Sequence, residues 1–242
     1  MMVCKPSSDM DLRGSNEHFK NSFEMRSGGA QTAPMSSTRE RLLAAAQEVF
    51  AAHGYRDATI QRIAELAEAN IAAVHYHFGG KAELCAAVIE RELEQRTAGA
   101  PLPRLADAPG DPAGQLGRFL RWFLLHRVAC DPGGVMLRLT GELSAMGEVL
   151  DLVIARHIRG ELGALQEIVA ALLPPGAPRA LLRRAVIAVL GQCATYRHAA
   201  PVHARLFPEL NLDAAELEAI AEQTTAFSLA GLAALRERGT RA

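Results

Sequence analysis

Apolar positions recur at helical spacing from Leu42 onward, broken every few residues by side chains that cap or stop a helix. Leu42, Leu43, Ala46, Val49 and Phe50 predict a first helix. Ser37-Thr38-Arg39-Glu40 opens it as a capping box, in which the Ser37 hydroxyl accepts from the Glu40 amide and the Glu40 carboxylate reaches back. His53 and Gly54 end it, with Gly54 suited to a left-handed C-terminal position. Thr59 caps a short helix over 60–67, whose Ile60, Ile63, Ala64 and Ala67 share one face. The turn Glu68-Ala69 leads to Asn70, which caps another short helix ending at Phe78. Gly79-Gly80 interrupts again, and Lys81 opens a longer helix to about Arg96. Val49, Ile63, Leu66 and Phe78 are expected in the core.

Beyond this block, the Pro- and Gly-rich stretch 99–114 reads as a connection. Further helices are predicted at about 115–129, 134–146, 149–173, 179–199 and 213–236, punctuated by DPGG at 131–134 and PPGAP at 174–178. In the last two, Leu182, Val186, Val189 and Leu190, then Leu217, Ile220, Phe227 and Leu232, form apolar stripes. Residues 1–36 are polar, lack periodicity and read as a disordered N-terminal extension, with Met25 and Met35 as alternative starts. The chain thus divides into 1–36, a helix-turn-helix domain over 37–96 and a larger helical bundle over 97–242. The predicted fold class is all-α.

Composition supports that class, because Ala and Leu dominate and both favour helix. The four cysteines, Cys4, Cys85, Cys130 and Cys193, are widely scattered without C-x-x-C spacing. They read as reduced, buried side chains of a cytoplasmic protein, and neither a metal nor another cofactor is expected. No apolar run suits a signal peptide or a membrane span. The net charge is −1, and residues 35–90 hold five basic and seven acidic side chains. No basic excess marks the helix-turn-helix.

Two short helices separated by a tight turn and packed on a longer first helix make a helix-turn-helix, whose second short helix suits the major groove. The block 38–84 resembles the DNA-binding domain of the TetR family. The resemblance rests on the helix end from Phe50 to Gly54, then Tyr55, Thr59, Ile63 and Ala64, Ala67, the run His75-Tyr76-His77-Phe78, and Lys81 with Leu84. Asn70-Ile71-Ala72-Ala73 and Tyr196-Arg197-His198 are similar to a subgroup that includes repressors of efflux genes.

The resemblance implies a repressor that binds a pseudo-palindromic double-stranded DNA operator as a homodimer and is released by a small apolar or amphipathic effector. Thr59, Tyr76 and Lys81 would meet phosphates. Asn70 would meet phosphate or adenine, and His75 and His77 the backbone or a base edge. Ile71, Ala72 and Ala73 would approach thymine methyls closely. In the bundle, Trp122, His126, Met136, His157, Gln192 and Tyr196 are polar or aromatic positions for an effector pocket. Glu68 departs from the family, which has Gly there. If the turn needs φ > 0, Glu costs about 1 kcal/mol relative to Gly.

Other readings fare less well. His75 and His77 as metal ligands would point about 200° apart on a helix, unsuited to chelation. A helical enzyme lacks a nucleophile, base or phosphate loop at recognisable spacing. A helical protein-interaction adaptor with degenerate DNA binding stays open, given Glu68 and the acidic balance. The DNA-binding reading predicts few phosphate contacts and partial readout of DNA shape. Operator affinity is then expected to fall gently with salt, and to drop when the central uncontacted base pairs are changed. Fluorescence titration checks both, and a steep salt slope contradicts the first.

Overall fold

Capping chemistry sets the first boundary. The Ser37 hydroxyl accepts from the Glu40 amide at 3.3 Å, and the Ser37 amide donates to the Glu40 carboxylate at 3.2 Å. The structure is a computed structural model that describes residues 37–129, 135–142 and 146–239. The expectation for 1–36, together with Cys4 and Cys130, lies outside them.

Helix α1 spans Thr38–Asp57 but breaks at Gly54, where φ is +74° and ψ 179°. Gly54 has the positive φ anticipated for it, yet its ψ is extended and the chain resumes as one further turn to Asp57. Only glycine occupies that region cheaply. The break leaves amides after Gly54 without helical partners. The Glu142 carboxylate takes two of them, accepting from Tyr55 at 2.9 Å and from Arg56 at 3.4 Å.

Next come α2 (Ile60–Leu66), α3 (Ile71–Phe78) and α4 (Lys81–Arg96). The connection after α4 holds a 3-10 turn at Leu105–Asp107. Helix α5 (Pro112–Phe123) starts on Asp111, whose carboxylate accepts from the Gly114 amide at 2.8 Å, with Pro112 where no amide is needed. It runs into a wide turn at Leu124–Val128, closed by the Ala129 amide reaching back five residues to the Leu124 carbonyl at 2.9 Å. Then follow α6 (Val135–Glu142) and α7 (Gly147–Val153), a second wide turn at Ile154–Ile158, and α8 (Arg159–Leu172). Helices α9 (Arg179–His198), α10 (Ala200–Leu206) and α11 (Ala214–Gly239) complete the described residues, whose regular structure is all helical. Helix α10 has no counterpart among the predicted elements. Pro201 reads as a breaker, but it sits in the first turn, where its missing N–H costs nothing.

Two apolar clusters hold these helices. The first combines Leu42, Phe50, Ile63, Val74, Leu84 and Ile89 with Leu139 of α6 and Val149 and Val153 of α7. The second joins Leu116, Phe119 and Leu120 of α5 to Ile168 of α8, Val186 and Cys193 of α9, and Leu217 and Leu232 of α11. Cys85 and Cys193 are buried free thiols, both pushed up to about 12 by burial, so they are neutral at physiological pH.

One core expectation needs correction. Leu66 is 47% exposed, because it lies about 100° around α2 from the stripe of Ile63, Ala64 and Ala67. In the α11 stripe of Leu217, Ile220, Phe227 and Leu232, Phe227 is 64% exposed in the single chain whereas the other three are buried.

Replacing Glu142 with Ala removes the acceptor that holds the turn after Gly54. Urea denaturation is expected to show a loss of about 1–3 kcal/mol. No change would show that water satisfies those amides equally well.

Candidate nucleic-acid interface

Helix α3 divides cleanly into an inner and an outer face. Val74 and Phe78 are buried against α1 and α4, whereas Ile71, Ala72, His75 and Tyr76 face outward. Ala73 and His77 lie half-buried at the edges. Tyr76 is 85% exposed, and its ring meets only that of His77, edge-on with centroids 5.0 Å apart. An aromatic ring so open, on a helix that also exposes Ile71, suits a surface that meets a partner.

The turn before α3 is built from backbone. The Ala69 amide bonds the Ala64 carbonyl at 2.9 Å and the Glu68 amide bonds the Glu65 carbonyl at 3.1 Å. That pairing is a Schellman ending for α2, and it requires the residue at Glu68 to have positive φ. Glu68 has φ +50°, the one non-glycine residue with positive φ among those described. The Arg41 guanidinium fastens the turn from α1 by donating to the Ala67 carbonyl at 3.2 Å.

Each remaining interface residue has a defined place. The Thr59 hydroxyl accepts from the Arg62 amide at 3.2 Å, fixing the start of α2. The Asn70 carboxamide oxygen accepts from the Ala72 amide at 2.8 Å, fixing the start of α3. The His75 ring lies 3.3 Å from the Gly79 carbonyl through Nδ1. Lys81 is drawn inward: its ammonium donates to the Arg56 carbonyl at 3.2 Å and lies 4.6 Å from the centre of the Tyr55 ring. It acts as a tie between α4 and the turn after Gly54. Sequence reasoning passed over Arg39 and Arg62, which are exposed on this unit. The Arg39 guanidinium sits 5.1 Å from the Phe78 ring centre, which places a cation beside the end of α3. Its position one residue before the first capping glutamate gave no sign of that.

The six bundle positions do not converge on one cavity. Trp122 and His157 line a cavity of about 300 Å³ together with Arg127, Arg156 and Glu161. The Trp122 indole N–H donates to the Ala100 carbonyl at 2.9 Å, and its ring lies 5.7 Å from that of His126. Arg127 stacks over Trp122 at 5.0 Å and pairs with Glu161. Gln192 instead ties α9 to α11, donating to the Ser228 hydroxyl at 3.1 Å. Tyr196 lines a separate cavity. Met136 lies in α6, and its side chain is outside the described residues.

The bundle is also fastened to α4. Arg156 bonds Glu83 at 2.7 Å and Glu90 at 3.0 Å, and Arg96 donates to the Ala129 carbonyl at 3.1 Å. Both carboxylates raise the affinity of Arg156 for its proton. Among the described residues no helix is long and apolar enough to cross a membrane.

A helix-turn-helix with an outward second helix, continued by a helical bundle, defines a class of all-α regulator folds. Known proteins agree. Residues 42–88 match the model of the bacterial regulatory proteins of the TetR family, and residues 115–232 match the C-terminal domain of the HTH-type transcriptional dual regulator CecR. The helix-turn-helix segment is thus of the TetR type. It is 46% identical over 57 residues to the HTH-type transcriptional regulator SrpR of Pseudomonas putida, covering 24% of this chain and 27% of that one. It is 32% identical over 68 residues to the HTH-type transcriptional repressor NicS of Pseudomonas putida, covering 28% and 32%. The chain thus spans less than half the length of the curated relatives it matches. In fold it is similar to the fatty acid degradation regulator FadR from Bacillus halodurans, with a TM-score of 0.52 at 16% identity over 83% of this chain and 97% of that one.

Glycine at position 68 would meet the Schellman turn without strain. Glu68→Gly is expected to raise the unfolding free energy by about 1 kcal/mol, measured by chemical denaturation. An unchanged midpoint would mean that the Glu68 carboxylate compensates for its backbone.

Proposed function

We propose that the chain is a DNA-binding transcriptional repressor. In this reading a homodimer sets two copies of α3 about one helical turn, roughly 34–36 Å, apart on a pseudo-palindromic operator. A small apolar or amphipathic effector enters the bundle and favours a dimer whose α3 helices are wrongly spaced. The helix-turn-helix domain is 37–96, and the sensing and dimerising domain is 97–242.

The observation that carries the reading is the outward face of α3. Ile71, Ala72, His75 and Tyr76 lie exposed on a helix whose opposite face is core, and a capped helix start precedes each short helix. Ile71 and Ala72 fit close approach to base edges. The Tyr76 hydroxyl, Asn70 and the start of α2 at Thr59 fit phosphate contact. Lys81 supports them from behind through Arg56, and Arg39 adds a charge beside α3. Dimerisation is supported by Ile187 on α9 and Phe227 on α11, exposed by 63% and 64% in the single chain. Helix α4 is the lever, because Arg156 and the Arg96 bond to Ala129 attach the bundle to it. The regulator and repressor names of SrpR and NicS support the same class of function.

Gel shift against DNA upstream of the chain's own gene tests the proposal. Wild-type protein is expected to retard it. Tyr76→Phe should weaken the shift by about tenfold or more, as loss of a hydrogen bond to a charged phosphate implies, without altering sedimentation. Ile187→Glu with Phe227→Glu should yield monomers and no shift. Full retardation by Tyr76→Phe would remove that residue from the interface, and absence of any wild-type shift would count against repression of its own region.

A further inference from the structure

The last turn of α9, His203 of α10, the connection at 207–210 and the first turns of α11 line an open cavity of about 430 Å³. Three rings stand in series along its wall. Tyr196 and His203 meet edge-on with centroids 5.8 Å apart, and Phe207 follows His203 at 6.4 Å. Glu209 and Glu216 contribute carboxylates to the same lining, which contains no lysine or arginine. Neither carboxylate is in an ion pair among the described residues. Ile220 supplies an apolar wall. The Nδ1 atom of His203 is buried without a hydrogen-bond partner.

Each part of this lining favours the same kind of guest. Ring faces attract positive charge, and carboxylates do so more strongly. Burial, with Cys193 and Glu216 nearby, raises the Tyr196 phenol, so the ring stays neutral and adds no further anion. A neutral apolar guest would strip water from Glu209 and Glu216 and return nothing to them. An anion would meet repulsion from both.

We infer that this cavity binds an organic cation, a protonated amine or quaternary ammonium with an apolar body. The charge meets Glu209 and Glu216, and the apolar body lies on Tyr196 and Phe207. The site is distinct from the cavity at Trp122 and His157. Its effect on an operator rests on the reading of the bundle as a sensor, whereas binding itself does not. Since α9 and α11 are also the helices assigned to the dimer contact, an arginine from a second copy is the competing occupant.

Calorimetric titration of the full chain tests the site with benzyltrimethylammonium, its uncharged isostere neopentylbenzene, and phenylacetate. Saturable binding of the ammonium is expected, about tenfold or more tighter than the isostere, with no uptake of phenylacetate. Glu209→Gln with Glu216→Gln should lose about tenfold or more of that affinity, and Phe207→Ala should weaken it several-fold, with sedimentation unchanged. Equal affinity for the isostere, or full ammonium affinity in the double Gln variant, overturns the proposal. It is also overturned if wild type takes up no ammonium while the double variant shifts the monomer–dimer equilibrium, because the carboxylates then serve the second copy. Gel shifts with the same ammonium separate the two readings. Binding without operator release upholds the cavity and counts only against the sensor, and release without calorimetric binding at the cavity counts against the cavity.

Discussion

At Gly54 the backbone has to leave the helix and re-enter it within one residue, and the first half of the structure is arranged around that reversal. The positive φ strips the following amides of helical acceptors, and Glu142 supplies a carboxylate from an element nearly ninety residues away in sequence. Lys81 closes the other side of the same turn by bonding the Arg56 carbonyl. A single turn of helix is thereby held by α6 and α4 together. Ala58, buried, and Thr59, capping α2, follow at once, so the entry of the helix-turn-helix inherits its position from those two contacts. The apolar core repeats the pattern, since α6 and α7 fill the space that α1–α4 leave open.

Charge in this half is settled by pairing rather than by counting. The acidic balance of residues 35–90 includes Glu83 and Glu90, yet both are bonded by Arg156, which lies outside that stretch. Glu92 is engaged by Gln47. These carboxylates hold helices together, Glu83 and Glu90 through Arg156 and Glu92 through Gln47 of α1. Arg39, in contrast, stands next to α3. The electrostatic surface offered to a phosphate backbone is therefore less acidic than the composition of the segment suggests.

The short helices were legible because their signals are local. Ser37, Thr59 and Asn70 each announce a helix start through a side-chain oxygen that accepts from an amide two or three residues on, and the structure uses each one so. The strain at Glu68 was legible through the resemblance alone, since the TetR family has Gly where this chain has Glu with φ +50°. What escaped was non-local or depended on rotation around an axis. Leu66 is an apolar residue close to an apolar stripe, and only the packing partners decide that it falls outside. The inward pull of Lys81 depends on a carbonyl exposed by the break at Gly54. The bundle positions were chosen as polar or aromatic residues in an Ala and Leu background, a rule that carries no information on which helices meet. Hence Trp122 and Tyr196 line different cavities while Gln192 bonds Ser228.

The grip of Arg156 on Glu83 and Glu90 has a mechanical meaning. One guanidinium holds two carboxylates seven residues apart, about two helical turns along α4. Because both carboxylates share one face of α4, rotation of α4 about its own axis would draw both away from Arg156 together. These pairs are part-exposed and individually soft, roughly 1 kcal/mol or less each. They register α4 on the bundle close to the Lys81 tie, so a shift at Arg156 is felt within one helical turn of the segment that begins the helix-turn-helix.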